Sequence, residues 1–263
     1  MERSWLGALV SAWNLLLEIP FPNIGLWYED ETPTGDSLRT LACFPLVGAL
    51  LGYAAYCIIW ILSRFQSLTS VAAVSAILIV IGLEVMTLGK NFNALVSFFE
   101  ARIQGLGELE LVAAVEKEPS FCKTALGLMF FLSVFILKIA CVALLVYYER
   151  TTWLIVTMAV SYAVIAKMAT ARDLRTSQPF FETEEGRAEK LAWLFAGAIS
   201  FIVGWSYSPA VIIVLVLAYF FSGKFKGHCE MQFGGVTGKI IGTAGAAAET
   251  LILLAGVILL ARL

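Results

Sequence analysis

Apolar residues along this chain fall into eight runs, at 5–22, 40–63, 69–89, 124–148, 151–171, 190–206, 208–223 and 240–262. Most approach the ~20 residues that carry a helix across ~30 Å of hydrocarbon. The pattern predicts an all-α fold, a polytopic integral membrane helical bundle of about 7–8 transmembrane helices, forming a single membrane domain over 1–263. The first run carries Asn14, Glu18, Pro20 and Pro22, which fits a re-entrant segment better than a clean span. The sixth and seventh runs are short and are divided by Tyr207-Ser208-Pro209, read as a tight hairpin on one membrane face.

Composition supports this reading. The 263 residues are 60% hydrophobic and only 14% charged, where a soluble domain carries about a quarter. A net charge of −2 gives no sign of a nucleic-acid partner, and a single histidine excludes a His-rich metal site. The five cysteines form no C-x-x-C pair, and Cys43, Cys57 and Cys141 lie inside apolar runs as small hydrophobes. The start, Met1-Glu2-Arg3-Ser4-Trp5, shows no small-residue cleavage signature, so no removable signal peptide is expected.

Charge gives the bundle a direction. If all eight runs cross, the loops 23–39, 90–123, 172–190 and 224–239 share one face and hold twelve of the eighteen basic residues. The positive-inside rule makes those loops cytoplasmic in a multi-pass protein of the cell membrane. Acidic residues gather there too, so every loop roomy enough for chemistry faces the cytoplasm.

Four charges lie within apolar sequence: Glu84, Lys138, Lys167 and Glu249. Unpaired, each costs at least ~2.5–3.5 kcal/mol in a membrane, so two acids and two bases point to pairing in the bundle interior. Lysine snorkelling to the interface is the competing account, weakest for Lys138. In the loop after the third run, Asn93, Ser97 and Glu100 follow i, i+4, i+7 and share one helical face, with Lys90 on the same stripe. Gly234-Gly235-Val236-Thr237-Gly238-Lys239 then forms a polar hinge before the last run. Backbone N–H groups at such a helix start favour an anion, although plain connection or close helix packing explains the glycines equally well. The hinge is no Walker loop, having Ile240 where Ser or Thr is required.

Several blocks, in order, resemble the cobalamin synthase family, adenosylcobinamide-GDP ribazoletransferase. They are Leu17-Glu18-Ile19-Pro20-Phe21-Pro22, Phe44-Pro45-Leu46-Val47-Gly48-Ala49-Leu50-Leu51-Gly52, Lys138-Ile139, and Gly234-Gly235-Val236-Thr237-Gly238 followed by Gly242 and Glu249. The resemblance implies a Mg²⁺-dependent transferase of the cell membrane that joins adenosylcobinamide-GDP to α-ribazole or its 5′-phosphate and releases GMP. Its implied partners are membrane lipid, corrinoid and nucleotide small molecules, and other cobamide-pathway enzymes. By position, Glu100, Lys138 and Lys239 correspond to the catalytic centre. Lys90, Asn91, Lys123, Gly234, Gly235, Thr237, Gly238 and Glu249 correspond to substrate-binding positions, and Asn93, Ser97 and Glu100 to metal positions.

The likeness fails at the acids. Where the family carries aspartates three times on one helix face and once after Val-Thr-Gly, this chain has Asn93, Ser97, Glu100 and Lys239. The histidine position is Asn91, and the family's Asp-Ser block is blurred into Glu118-Pro119-Ser120-Phe121-Cys122-Lys123. One glutamate beside an ammonium is a poor cradle for magnesium. Sequence therefore leaves open a transferase whose lysines hold phosphate directly and a non-catalytic homologue acting as a binding or scaffold subunit. A small-molecule transporter using the four intramembrane charges as a relay, or a membrane partner docking a soluble enzyme through residues 182–189, are further alternatives.

Overall fold

The run after Arg150 folds into a helix with no outward face. In the computed structural model all 16 residues of Trp153–Met168 are buried, as expected of a segment apolar around its whole circumference. Structure is described for residues 5–17, 37–65, 67–106, 108–116, 124–174, 181 and 186–260. These contain helices α1 (Trp5–Leu16), α2 (Ser37–Ala42), α3 (Phe44–Leu62), α4 (Leu68–Met86), α5 (Lys90–Ile103) and α6 (Glu108–Glu116). They continue with α7 (Ala125–Tyr147), the buried α8 (Trp153–Met168), α9 (Arg187–Val203), α10 (Ser208–Phe233) and α11 (Gly238–Leu260). The one bridge outside the helices among the described residues pairs Asp173 with Val236 in parallel. The fold is all-α.

Small residues set the packing around α8. A Cβ at Gly52 of α3 would lie 2.6 Å from the Cα of Ile155, and one at Gly48 would run into the Met158 carbonyl. Spaced four apart, these glycines let two backbones touch, the contact that drives helix association where solvent offers no hydrophobic effect. Likewise α11 brings Gly245 against Ile165 and Gly256 against the Trp153 indole, whose Nε1 donates to the Ile252 carbonyl at 3.0 Å.

Among the described residues four elements are long and apolar enough to cross a membrane: Leu38–Leu62, Ala125–Tyr147, Trp205–Phe233 and Gly238–Leu260. A fifth exists if Ser70–Met86 and Lys90–Ile103, which meet at 87°, count as one broken span. The apolar runs predict 7–8. Among the described residues the runs at 5–22 and 151–171 yield the shorter apolar helices Trp5–Leu16 and Trp153–Met168, the second enclosed by protein on every side. Lys224 to Gln232 belong to α10, which has 26 residues and stops only where Gly234 turns left-handed at φ +80°. Polar residues end a span without ending a helix, and glycine then supplies the stop.

Contacts gather the polar connections at one end of the bundle. There Arg172 and Asp173 meet Gly235 and Val236, Lys226 Nζ donates to Thr170 Oγ1 at 2.8 Å, and Phe98 of α5 meets Phe225 of α10 at 6.1 Å. Phe44, at the start of α3, packs edge-on against Phe181. The other end is tied by Tyr207, which bonds the Thr152 hydroxyl and lies edge-on to Trp153.

Candidate functional site: the junction of α5 with α11

The site is built on a break. α4 ends at Met86, Leu88 and Gly89 take left-handed φ of 48° and 65°, and α5 departs from Lys90. Glycine adopts that conformation freely; at Leu88 it is rare for a branched side chain. The turn lays α5 along α11. Asn91 comes so close to Gly242 that a Cβ there would lie 2.7 Å from Asn91 Oδ1. A side chain at 242 would crowd Asn91, so the glycine lets the start of α5 lie directly against α11.

Beneath it lies a tripod of charges. Lys138 of α7, 1% exposed, holds Glu84 of α4 at 2.9 Å and Glu249 of α11 at 3.0 Å. Its Nζ also lies 5.1 Å from the ring centroid of Phe92 on α5. One lysine thus ties three helices and touches a fourth. The second intramembrane lysine pairs elsewhere. Lys167 meets Glu189 of α9 at 3.3 Å and sits 3.5 Å from the Tyr219 ring centroid. The two-acid, two-base grouping read from sequence resolves into a triad and a separate pair.

The positions aligned with metal ligands are differently engaged. Asn93 and Ser97 are half-buried on α5. Glu100, 7% exposed, accepts from the Thr124 N–H at 2.9 Å and the Thr124 hydroxyl at 2.8 Å. Thr124 in turn accepts from the Gly127 N–H at 2.9 Å and so caps α7. The Glu100 carboxylate therefore sits over the positive start of a helix, an electrostatically satisfied place. Magnesium wants near-octahedral oxygen with carboxylate or phosphate donors. An amide, a hydroxyl and a carboxylate committed to Thr124 do not make that cradle. Among the described residues no three or more His, Cys, Asp or Glu are grouped to hold a metal ion.

The glycine turn is partly explained by packing. Gly234 ends α10, Gly235 faces the Arg172 carbonyl, and Thr237, buried, accepts from the Ile240 N–H at 3.4 Å. Gly238 is exposed, with open space where a Cβ would stand. Lys239 donates to the Val115 carbonyl at 2.8 Å, in the last turn of α6, and Lys90 is exposed. Lys123, the 182–185 acids and the Leu17-to-Pro22 block beyond Leu17 lie outside the described residues. Sequence reasoning missed Thr124 as the partner of Glu100. It also did not place Glu84 among the site residues, although the parity of intramembrane charges was the signal for it.

The family model for cobalamin-5-phosphate synthase matches residues 8–257. An adenosylcobinamide-GDP ribazoletransferase of Clostridium tetani (strain Massachusetts / E88) is 23% identical over 231 residues, covering 86% of this chain and 88% of that protein. No solved structure matches. A match running nearly from end to end, through α1 to α11, means that the chain belongs to the cobalamin-5-phosphate synthase family.

Proposed function

We propose that this membrane protein of cobalamin biosynthesis binds the family's corrinoid nucleotide at the α5–α11 end of the bundle and does not itself carry out magnesium-assisted ribazole transfer. The supporting observation is the commitment of Glu100 to Thr124 beside Asn93 and Ser97. In the transfer, a hydroxyl of α-ribazole or its phosphate attacks the phosphorus on the cobinamide side, the anhydride bond breaks, and GMP leaves. Negative charge builds on the departing phosphate and needs a cation placed against it. The former aspartate positions offer one bound carboxylate for that ion. Lys90, Lys239 and the exposed Gly238 backbone remain suited to phosphate itself, as point charges and a helix N-terminus. The basic loops support a cytoplasmic placement of this end at the cell membrane.

A second reading, a working transferase, is favoured by the tight fit of Asn91 on Gly242 and by the buried Lys138 triad, which keep the family's blocks assembled. Under it, lysines replace the metal. The two separate in one assay. The purified chain in liposomes is given adenosylcobinamide-GDP, α-ribazole 5′-phosphate and Mg²⁺, beside the C. tetani protein. The first reading expects corrinoid product from the clostridial protein alone; product from this chain at a comparable rate supports the second.

A further inference from the structure

A small pocket opens beside the Lys138 triad, between α3, α4, α5, α8 and α11. Its polar lining is Glu84, Thr87, Asn91, Ser161, Tyr162 and Glu249. Lys138 does not line it, so the ammonium leaves one side of both carboxylates to the pocket. Two carboxylates and one ammonium leave one negative charge within a membrane bundle, where an unneutralised charge is expensive. Tyr162 adds an independent sign. It is 4% exposed and lines the pocket, and among the described residues no hydrogen bond reaches its hydroxyl. A hydroxyl that opens on an enclosed space without a partner wants an occupant.

Two further features set the sign of that occupant. α4 ends at this pocket, Thr87 being its C-cap, and a helix C-terminus carries partial negative charge. Broken helices in membranes commonly turn such ends and their freed carbonyls toward cations. The space suits one water-sized group and is far too small for a nucleotide.

We propose that this pocket binds one small monovalent cation of about sodium size, held by the oxygens of Glu84, Glu249 and Tyr162 on the side away from Lys138. A single positive charge balances the triad; a divalent ion would overshoot it and asks for more carboxylate oxygen. The site is distinct from positions 93, 97 and 100, and it stands whether or not the chain transfers ribazole.

The test is thermal unfolding of the purified full chain in detergent, with sodium chloride replaced stepwise by N-methyl-D-glucamine chloride at fixed ionic strength. A saturable rise in Tm of about 3 °C or more with sodium is expected. In Tyr162→Phe the half-saturating sodium concentration should rise roughly tenfold, and in Glu84→Gln the response should vanish. Binding of ²²Na⁺ to the wild-type chain gives a second readout, with Tyr162→Phe carrying the test should Glu84→Gln fail to fold. A Tm and ²²Na⁺ signal indifferent to sodium, or an unchanged midpoint in Tyr162→Phe, overturns the proposal. So does a Tm that rises on acidification with no sodium response, which would assign the balancing charge to a shared proton.

Discussion

Lys138 carries the largest electrostatic stake of any single residue described. Removing it leaves Glu84 and Glu249 facing each other in the bundle interior. Breaking one partner out of a buried ion pair costs about 3–5 kcal/mol, far more than the pair itself contributes over an apolar replacement. Lys138→Met should therefore lower Tm sharply, and adding Glu84→Gln with Glu249→Gln should recover most of the loss. A Lys138→Met chain melting like wild type would show that the charges are not coupled as drawn. At this scale sequence went part of the way. Two acids and two bases inside apolar runs signalled interior pairing, because membranes do not tolerate them singly. Which acid meets which base depends on helix rotation, and nothing local to Lys167 names Glu189 as its partner. The same holds for Glu100: its i+7 placement on a polar stripe was legible, but its capture by Thr124 arises from tertiary contact.

Among elements, α3 and α8 show most directly how composition becomes packing. Gly48 and Gly52 face α8, whereas Gly82 of α4 has open space around it. Gly52→Ala should push the two backbones apart and cost about 1–3 kcal/mol, the usual penalty for overpacking. Gly82→Ala should be neutral or slightly stabilising, since alanine is the better helix former. Chemical or thermal denaturation of both variants in one detergent checks the contrast; equal losses would mean that α3 does not approach α8 as closely as described. Element existence was readable from hydropathy, and element ends were not. The polar stretch after Gly223 resembles a loop by composition, yet it continues α10 to Phe233, because membrane exit and helix termination obey different rules. The division of apolar runs between lipid and protein was equally hidden: α8 and α7 are both apolar, but only α8 is enclosed on every side.

At the scale of the whole molecule, distant sequence blocks converge. The Phe-Pro-Leu-Val-Gly stretch packs α3 on the central helix, the break after α4 delivers Asn91, and the Gly-Gly-Val-Thr-Gly turn starts α11 against it. That assembly explains why the family likeness runs through the chain while its acids do not persist. The glycines hold backbones together and the bundle needs them in place. On the proposed reading the aspartates served chemistry that this bundle does not perform, and their replacement costs nothing structural. On that same reading this end binds its corrinoid nucleotide without a metal. Equilibrium binding of adenosylcobinamide-GDP to the purified chain, measured in Mg²⁺ and again in excess EDTA, decides the point: a Kd that agrees within about twofold in the two buffers is expected, and a tenfold or greater weakening in EDTA, or no binding in either, overturns it.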